Sequence, residues 1–89
     1  MDARALVARN IRRLRVMRVV SQEALAVDAG IDRTYVSRLE RGLENPTVAV
    51  LEQLSKALRV EIAEFFAKPS PGEKAPATLP SGRKRQRAV

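Results

Sequence analysis

Apolar residues recur at helical spacing along the first part of the chain. From Ala3 to Arg18 there is no glycine or proline, and Val7, Ile11 and Leu14 lie three or four positions apart. This spacing places side chains on one face of an α-helix. We therefore predict an amphipathic helix over about residues 3–18, with arginines covering its other face.

Polar caps and glycines divide the segment that follows. Ser21 and Asp32 are good N-caps, because their side-chain oxygens can accept a hydrogen bond from an unpaired amide of the first helical turn. Gly30 and Gly42 are suited to helix C-termini, since glycine adopts the left-handed conformation at low cost. The sequence therefore predicts two short helices, over about residues 22–29 and 33–41.

Two further helices are predicted after the Asn45-Pro46 turn. Thr47 would cap the fourth helix, whose apolar face consists of leucines at helical spacing, namely Leu51, Leu54 and Leu58. A short fifth helix is predicted over about residues 62–67, although Glu61 is a weak N-cap for it. No alternating run predicts a strand, so the fold class is all-α with five helices.

The composition changes after Lys68. Prolines and glycines interrupt residues 69–89, and large apolar side chains become rare. We expect a helical domain over residues 1–68 and a flexible, basic, proline-rich tail over 69–89 that is disordered. The tail has a net charge of +4 and the domain +3, which together give the +7 of the whole chain. A basic balance favours a polyanionic partner.

The composition also excludes several classes of function. The chain has no cysteine and no histidine, which excludes disulfides, Cys/His zinc sites and thiol or imidazole catalysis. It has no glycine-rich phosphate loop and no cluster of metal ligands, so we expect no enzyme, no cofactor, no metal and no small-molecule ligand. No apolar run approaches the ~18 residues of a membrane span, and no secretory signal is evident. We expect a cytoplasmic protein without a membrane partner.

The order of residues in the second and third helices indicates a helix-turn-helix. Two short helices that cross at about 90–120° need a small residue where the backbones approach and a left-handed residue in the turn. Ala26 and Gly30 meet these needs. The inner faces must be apolar, and the side chains that fit are Leu25, Ile31, Val36 and Leu39.

These features extend over about residues 4–67, where the chain resembles the lambda repressor-like, Xre/Cro-type helix-turn-helix family. The segments that carry the resemblance are 11–15, 21–26, 30–42, 45–47, 51–58 and 64–66. The family often has glycine where this chain has Val19 and Arg59. Because valine adopts the left-handed conformation only at a cost, we expect the first helix to end differently, and we expect a changed junction before the fifth helix.

The resemblance implies that the third helix lies in the major groove of double-stranded DNA. The side chains expected to contact bases are Arg33, Thr34, Ser37 and Arg38. Those expected to contact phosphates are Ser21, Gln22, Tyr35, Arg41 and Asn45. Several of these residues have a simpler alternative. Arg33 and Arg38 could be solvated, Ser21 and Gln22 could serve the helix alone, Tyr35 could cover the core, and Asn45 could form the turn.

The resemblance further implies an ion pair between Arg15 and Glu40, for which the alternative is an exposed contact of ~0–1 kcal/mol. It also implies a homodimer on a palindromic operator. Phe65 and Phe66 are the expected dimer interface, with core packing of one of them as the alternative. The predicted function is therefore a sequence-specific transcriptional regulator. The alternative function is a protein-interaction module, such as an antitoxin-like partner or an accessory factor, on the same fold.

Overall fold

A computed structural model describes residues 1–70 of the chain. Four α-helices and one 3₁₀ helix follow one another: α1 (Ala3–Met17), α2 (Gln22–Ala29), α3 (Arg33–Glu40), α4 (Val48–Leu58) and the 3₁₀ helix (Ile62–Phe66). No strand occurs within these 70 residues, and the all-α prediction is confirmed. The expectation of a disordered tail concerns residues that lie, apart from 69 and 70, outside the described part.

Each α-helix begins at a side chain that accepts a hydrogen bond from the first turn. Ser21 Oγ accepts from the amide of Ala24 at 3.0 Å, and Thr47 Oγ1 accepts from that of Val50 at 3.1 Å. Asp32 caps α3 and Asp2 caps α1 in the same way. A cap of this kind contributes about 1 kcal/mol to stability. The sequence reasoning had named three of these caps and missed Asp2.

All four α-helices end in the same backbone arrangement. In each, one residue in the left-handed region donates its N–H to the carbonyl three positions earlier, and the next residue donates to the carbonyl five positions earlier. This pair of bonds is the Schellman motif, which satisfies carbonyls that would otherwise lack a partner. The left-handed residues are Val19, Gly30, Gly42 and Arg59.

The expectation that Val19 would change the end of α1 is wrong, and Arg59 likewise leaves its junction intact. Val19 has φ +56° and Arg59 has φ +58°. Two arginines hold the chain at these points. Arg15 of α1 donates through Nη1 to the Val20 carbonyl at 2.9 Å, and Arg18, the C-cap of α1, donates through Nη2 to the Arg59 carbonyl at 3.0 Å. Tertiary hydrogen bonds therefore maintain conformations that the two side chains disfavour locally.

The core is aliphatic apart from one aromatic ring. The helices contribute its largest buried side chains, which are Ile11, Leu14, Leu25, Val36, Leu39, Leu54, Leu58 and Phe65. α1 packs on α3 and on the 3₁₀ helix, while α2 packs on α3 and α4. Phe65 is completely buried within the protomer, so the prediction that it forms part of a dimer interface is corrected. Phe66 is 48% exposed and remains available to a partner.

Asn10 fastens the 3₁₀ helix to α1. Its amide nitrogen donates to the carbonyls of Phe65 and Ala67, at 2.9 and 2.8 Å, and its oxygen accepts from Arg13 Nε at 3.0 Å. The side chain is completely buried, and buried amides are stable only when their hydrogen-bonding groups are satisfied. Asn10 therefore positions the segment that carries Phe66.

The fifth element is a 3₁₀ helix, whereas the sequence predicted a fifth helix without this distinction. It has five residues, and Glu61 makes no side-chain hydrogen bond to its first turn. Helical pieces as short as this one commonly adopt the tighter 3₁₀ form. Among residues 1–70, no helix combines the length and apolarity needed to cross a bilayer.

Candidate DNA interface

α3 has one face in the core and one in solvent. Val36 and Leu39 are buried, whereas Arg33, Thr34 and Arg38 are exposed. Ser37, on the same outer face, is half-buried. The left-handed Gly30 turns the chain between α2 and α3, which places the two helices in contact. The helix therefore presents cationic and hydroxyl side chains outward from a rigid support, as base recognition requires.

The carboxylate of Glu40 forms a bidentate ion pair with Arg15. Arg15 Nε lies 2.5 Å from Glu40 Oε2, and Nη2 lies 2.9 Å from Oε1. The side chains are 6% and 0% exposed, respectively. Parallel hydrogen bonds between ionised groups are among the strongest in proteins. The pair joins α1 to the C-terminal turn of α3, so it fixes the angle of α3 relative to the domain.

Two further side chains approach the same carboxylate. Arg12 Nε lies 3.4 Å from Glu40 Oε1, and Gln22 Nε2 donates to that oxygen at 3.2 Å. Glu40 thus accepts hydrogen bonds from α1 and α2 together. The negative charge is neutralised within the domain, which removes the repulsion that a free carboxylate beside DNA phosphates would cause.

The proposed phosphate contacts lie around the ends of α2 and α3. Ser21 and Gln22 are at the N-terminus of α2, where amides and the helix dipole favour an anion. The Ser21 oxygen accepts the cap bond, which leaves its O–H free to donate, and Gln22 keeps one N–H besides the bond to Glu40. Arg41 and Asn45 are exposed beyond the C-terminus of α3.

Arg38 has a partner on the loop after α3. Its Nε donates to Glu44 Oε2 at 2.7 Å, with the Arg38 side chain 46% exposed and that of Glu44 29% exposed.

Tyr35 lies close enough to Glu44 to feel its charge. Partial burial, and secondarily the charge of Glu44, raises the pKa of the Tyr35 phenol. A phenol is protonated at neutral pH even without this shift, so the Tyr35 hydroxyl can donate a hydrogen bond. Tyr35 also packs against the core edge, so both of its expected roles are compatible.

Sequence reasoning missed two residues of this region, Arg12 and Glu44, and it also missed Asn10, which fastens the 3₁₀ helix. Asn10 stands among the apolar positions of α1, four before Leu14, and a polar residue at such a position was the available signal. Arg12 gave no signal that separated it from the other arginines of α1. Glu44 gave none either, because its distance from Arg38 depends on the turn that Gly42 makes.

A comparison with protein families shows to which family the chain belongs. Residues 11–65, from the middle of α1 to the 3₁₀ helix, match the HTH_3 family, described as helix-turn-helix. The chain belongs to the helix-turn-helix family. The resemblance found in the sequence is thereby confirmed.

Individual relatives agree with this assignment. The uncharacterized HTH-type transcriptional regulator y4dJ of Sinorhizobium fredii is 43% identical over 65 residues, which cover 73% of this chain and 84% of y4dJ. The crystal structure of the hypothetical transcription factor NHTF from Neisseria superposes with a TM-score of 0.73 and 41% identity, covering 76% of this chain and 78% of NHTF.

A third relative has been solved on DNA. The restriction-modification controller protein C.Esp1396I, as a tetramer with its natural 35 base-pair operator, has a TM-score of 0.69 and 35% identity. The match covers 74% of this chain and 87% of the controller protein. As a helix-turn-helix protein of this group, the chain is a DNA-binding transcriptional regulator and not an enzyme.

Proposed function

We propose that this regulator binds a palindromic operator as a homodimer, with α3 in the major groove. The observation that carries the proposal is the division of α3. Its buried face and the Arg15–Glu40 pair fix the helix, and its outer face offers side chains that read base edges. The bases would be read by Arg33, Thr34, Ser37 and Arg38.

The ends of α2 and α3 would bind the DNA backbone. The expected phosphate contacts are Ser21, Gln22, Tyr35, Arg41 and Asn45, of which the first two adjoin the positive end of the α2 dipole. Backbone contacts supply affinity and register, while base contacts supply discrimination. A regulator whose partner is genomic DNA acts in the cytoplasm, where we place this protein.

Phe66 is the proposed centre of the dimer interface. The ring is about half exposed on a segment that Asn10 holds against α1, so it can contact a second copy without unfolding. Half-sites about one DNA turn apart, ~34–36 Å, would match two copies of α3 related by a twofold axis. The controller protein C.Esp1396I, solved as a tetramer on its operator, supports an oligomeric mode of binding.

Fluorescence anisotropy tests the DNA contacts. The full chain is titrated onto duplexes that it enriches from a random pool, and onto unrelated duplexes, at several salt concentrations. Arg33→Ala and Arg38→Ala should each weaken the preference for enriched duplexes, while Lys56→Ala, which removes an exposed cation of α4, should preserve it. The salt slope should be about −0.9 per neutralised phosphate. Absence of binding to every duplex at low salt would refute the proposal and favour the protein-interaction module.

Analytical ultracentrifugation tests the dimer. Phe66→Asp should yield monomers, because a carboxylate cannot be buried in an apolar contact without a partner. Val48→Asp changes another exposed apolar side chain, on α4, and should leave the dimer intact. If the Phe66→Asp variant still formed the dimer, Phe66 would not lie in the dimer interface.

A further inference from the structure

Glu44 holds one particular atom of the Arg38 side chain. The bond at 2.7 Å uses Nε, the nitrogen nearest the aliphatic stem. Within residues 1–70, this is the one hydrogen bond of the Arg38 guanidinium. The two terminal nitrogens therefore remain able to donate outward. Those nitrogens are the donors that a bidentate contact with guanine O6 and N7 requires.

The backbone fixes the loop from which Glu44 extends. Gly42 is left-handed, and the N–H of Leu43 donates to the carbonyl of Arg38 at 3.0 Å. The residue next to Glu44 is thus tied to the main chain of the arginine that Glu44 contacts. This bond belongs to the motif that ends α3, so it holds the backbone next to Glu44 within reach of the Arg38 side chain.

A carboxylate at this position has two consequences for DNA binding. It restricts the torsions of a long side chain that would otherwise lose rotamer freedom when it meets a base. It also places a negative charge beside a surface that approaches phosphates, which opposes binding wherever Arg38 gains no base contact. Orientation favours the correct site and repulsion penalises incorrect sites, which together constitute specificity.

We propose that Glu44 is a specificity-determining residue that positions Arg38 for guanine and weakens binding to all other sequences. The proposal rests on the proposed function, in which α3 enters the major groove. Glu44 itself contacts no base in this scheme, since its carboxylate acts through Nε of Arg38. Its removal should therefore increase affinity for unrelated DNA while it reduces discrimination at one base pair.

The experiment measures discrimination at the base pair that Arg38 reads. Each base pair of an enriched duplex is changed in turn, and the fold loss of affinity in anisotropy titrations is the penalty at that base pair. The base pair that Arg38 reads is the one whose penalty disappears in Arg38→Ala. With the full chain, Glu44→Ala should lower this penalty about three- to tenfold, a part of what a bidentate arginine–guanine contact supplies. Affinity for unrelated duplexes should rise. Glu44→Gln, which keeps an acceptor for Nε but removes the charge, should raise unrelated binding and preserve more of the penalty.

Two controls separate positioning from general effects. Glu61→Ala removes an exposed acid that precedes the 3₁₀ helix, and it should leave the base penalty unchanged. Base pairs whose penalty survives in Arg38→Ala should keep it in Glu44→Ala. An unchanged penalty at the Arg38 base pair in Glu44→Ala, or an equal loss at those other base pairs, would overturn the assignment of Glu44 alone. If the unmodified chain prefers no duplex, the proposed function fails and this inference fails with it.

Discussion

α3 contributes to two arginine–glutamate pairs that differ in almost every physical respect. In the first, Glu40 of α3 meets Arg15 of α1 through two parallel bonds, with both side chains buried. In the second, Arg38 of α3 meets Glu44 of the following loop through one bond, with both side chains in contact with solvent. The two α3 residues are only two positions apart, yet they face opposite surroundings.

The same two residue types thus serve different purposes according to how deeply they are buried. A buried pair has lost its hydration, so the removal of either partner leaves an uncompensated charge. An exposed pair exchanges readily with water and contributes ~0–1 kcal/mol. The first pair can therefore hold α3 in place, whereas the second contributes little to stability and leaves the terminal nitrogens of Arg38 for another partner.

The largest expected effect comes from Glu40→Ala, which isolates the buried guanidinium of Arg15. The free energy of unfolding, measured by urea denaturation followed by circular dichroism, should fall by ~3–5 kcal/mol. Glu44→Ala is the matched control and should change it by less than ~1 kcal/mol. Equal losses in the two variants would show that burial does not separate the pairs.

Lysine in place of each arginine tests how far each pair depends on the geometry of the guanidinium rather than on its charge. Arg15→Lys retains the charge but loses the parallel geometry and the bond to the Val20 carbonyl, so we expect a loss of ~1–3 kcal/mol. Arg38→Lys should leave the denaturation midpoint nearly unchanged, since its single exposed bond contributes little. A larger destabilisation by Arg38→Lys than by Arg15→Lys would contradict the assigned roles.

The smallest effect concerns Val19→Gly, which should supply a more stable background for the buried-pair variants. Relief of the left-handed strain, ~1–2 kcal/mol, exceeds the greater flexibility of glycine in the unfolded chain, ~0.5–1 kcal/mol. Val19 is 70% exposed, so little apolar packing is lost. The net gain in the free energy of unfolding, measured by urea denaturation, should lie between ~0 and ~1.5 kcal/mol.

Gly42→Val is the reciprocal control for that substitution. It places the same side chain into the same helix-end motif, at φ +74°, where an added Cβ would meet no atom within 4 Å. A destabilisation there would come from the disfavoured backbone conformation, because the added Cβ would clash with no neighbouring residue. If Val19→Gly destabilised the domain while Gly42→Val did not, strain at the helix ends would not be the controlling factor.

Local signals predicted the fold almost completely. The caps at Ser21, Asp32 and Thr47 each act within three residues, so the chain itself contains the information. The left-handed Val19 could not be predicted in this way, because the bonds that maintain it include one from the Arg15 side chain, whose own orientation depends on Glu40. Propensity describes what a residue prefers alone, and tertiary contacts overrule it there.

The candidate site was predictable only in its outward face. The exposed positions of α3 follow from helical periodicity once Val36 and Leu39 are assigned to the core. The partner of Arg38 does not follow, since two exposed side chains six positions apart across a turn have no fixed spacing. Phe65 and Phe66 illustrate the same limit. The first ring is buried and the second is exposed, and the sequence alone did not determine which of the two would pack in the core.

The amide of Asn10 has a consequence for how the domain opens. Both of its donated bonds connect α1 with the last described helical segment, near the C-terminal end of the domain. Terminal segments commonly fray independently of the rest, but we expect a segment that a buried side chain of the first helix holds by two hydrogen bonds to belong to the cooperative unit of that helix. Amide protons of the 3₁₀ helix should then exchange with solvent through the same opening event as those of α1. A second copy that docks on Phe66 would meet a surface already ordered, and association would proceed without a folding step.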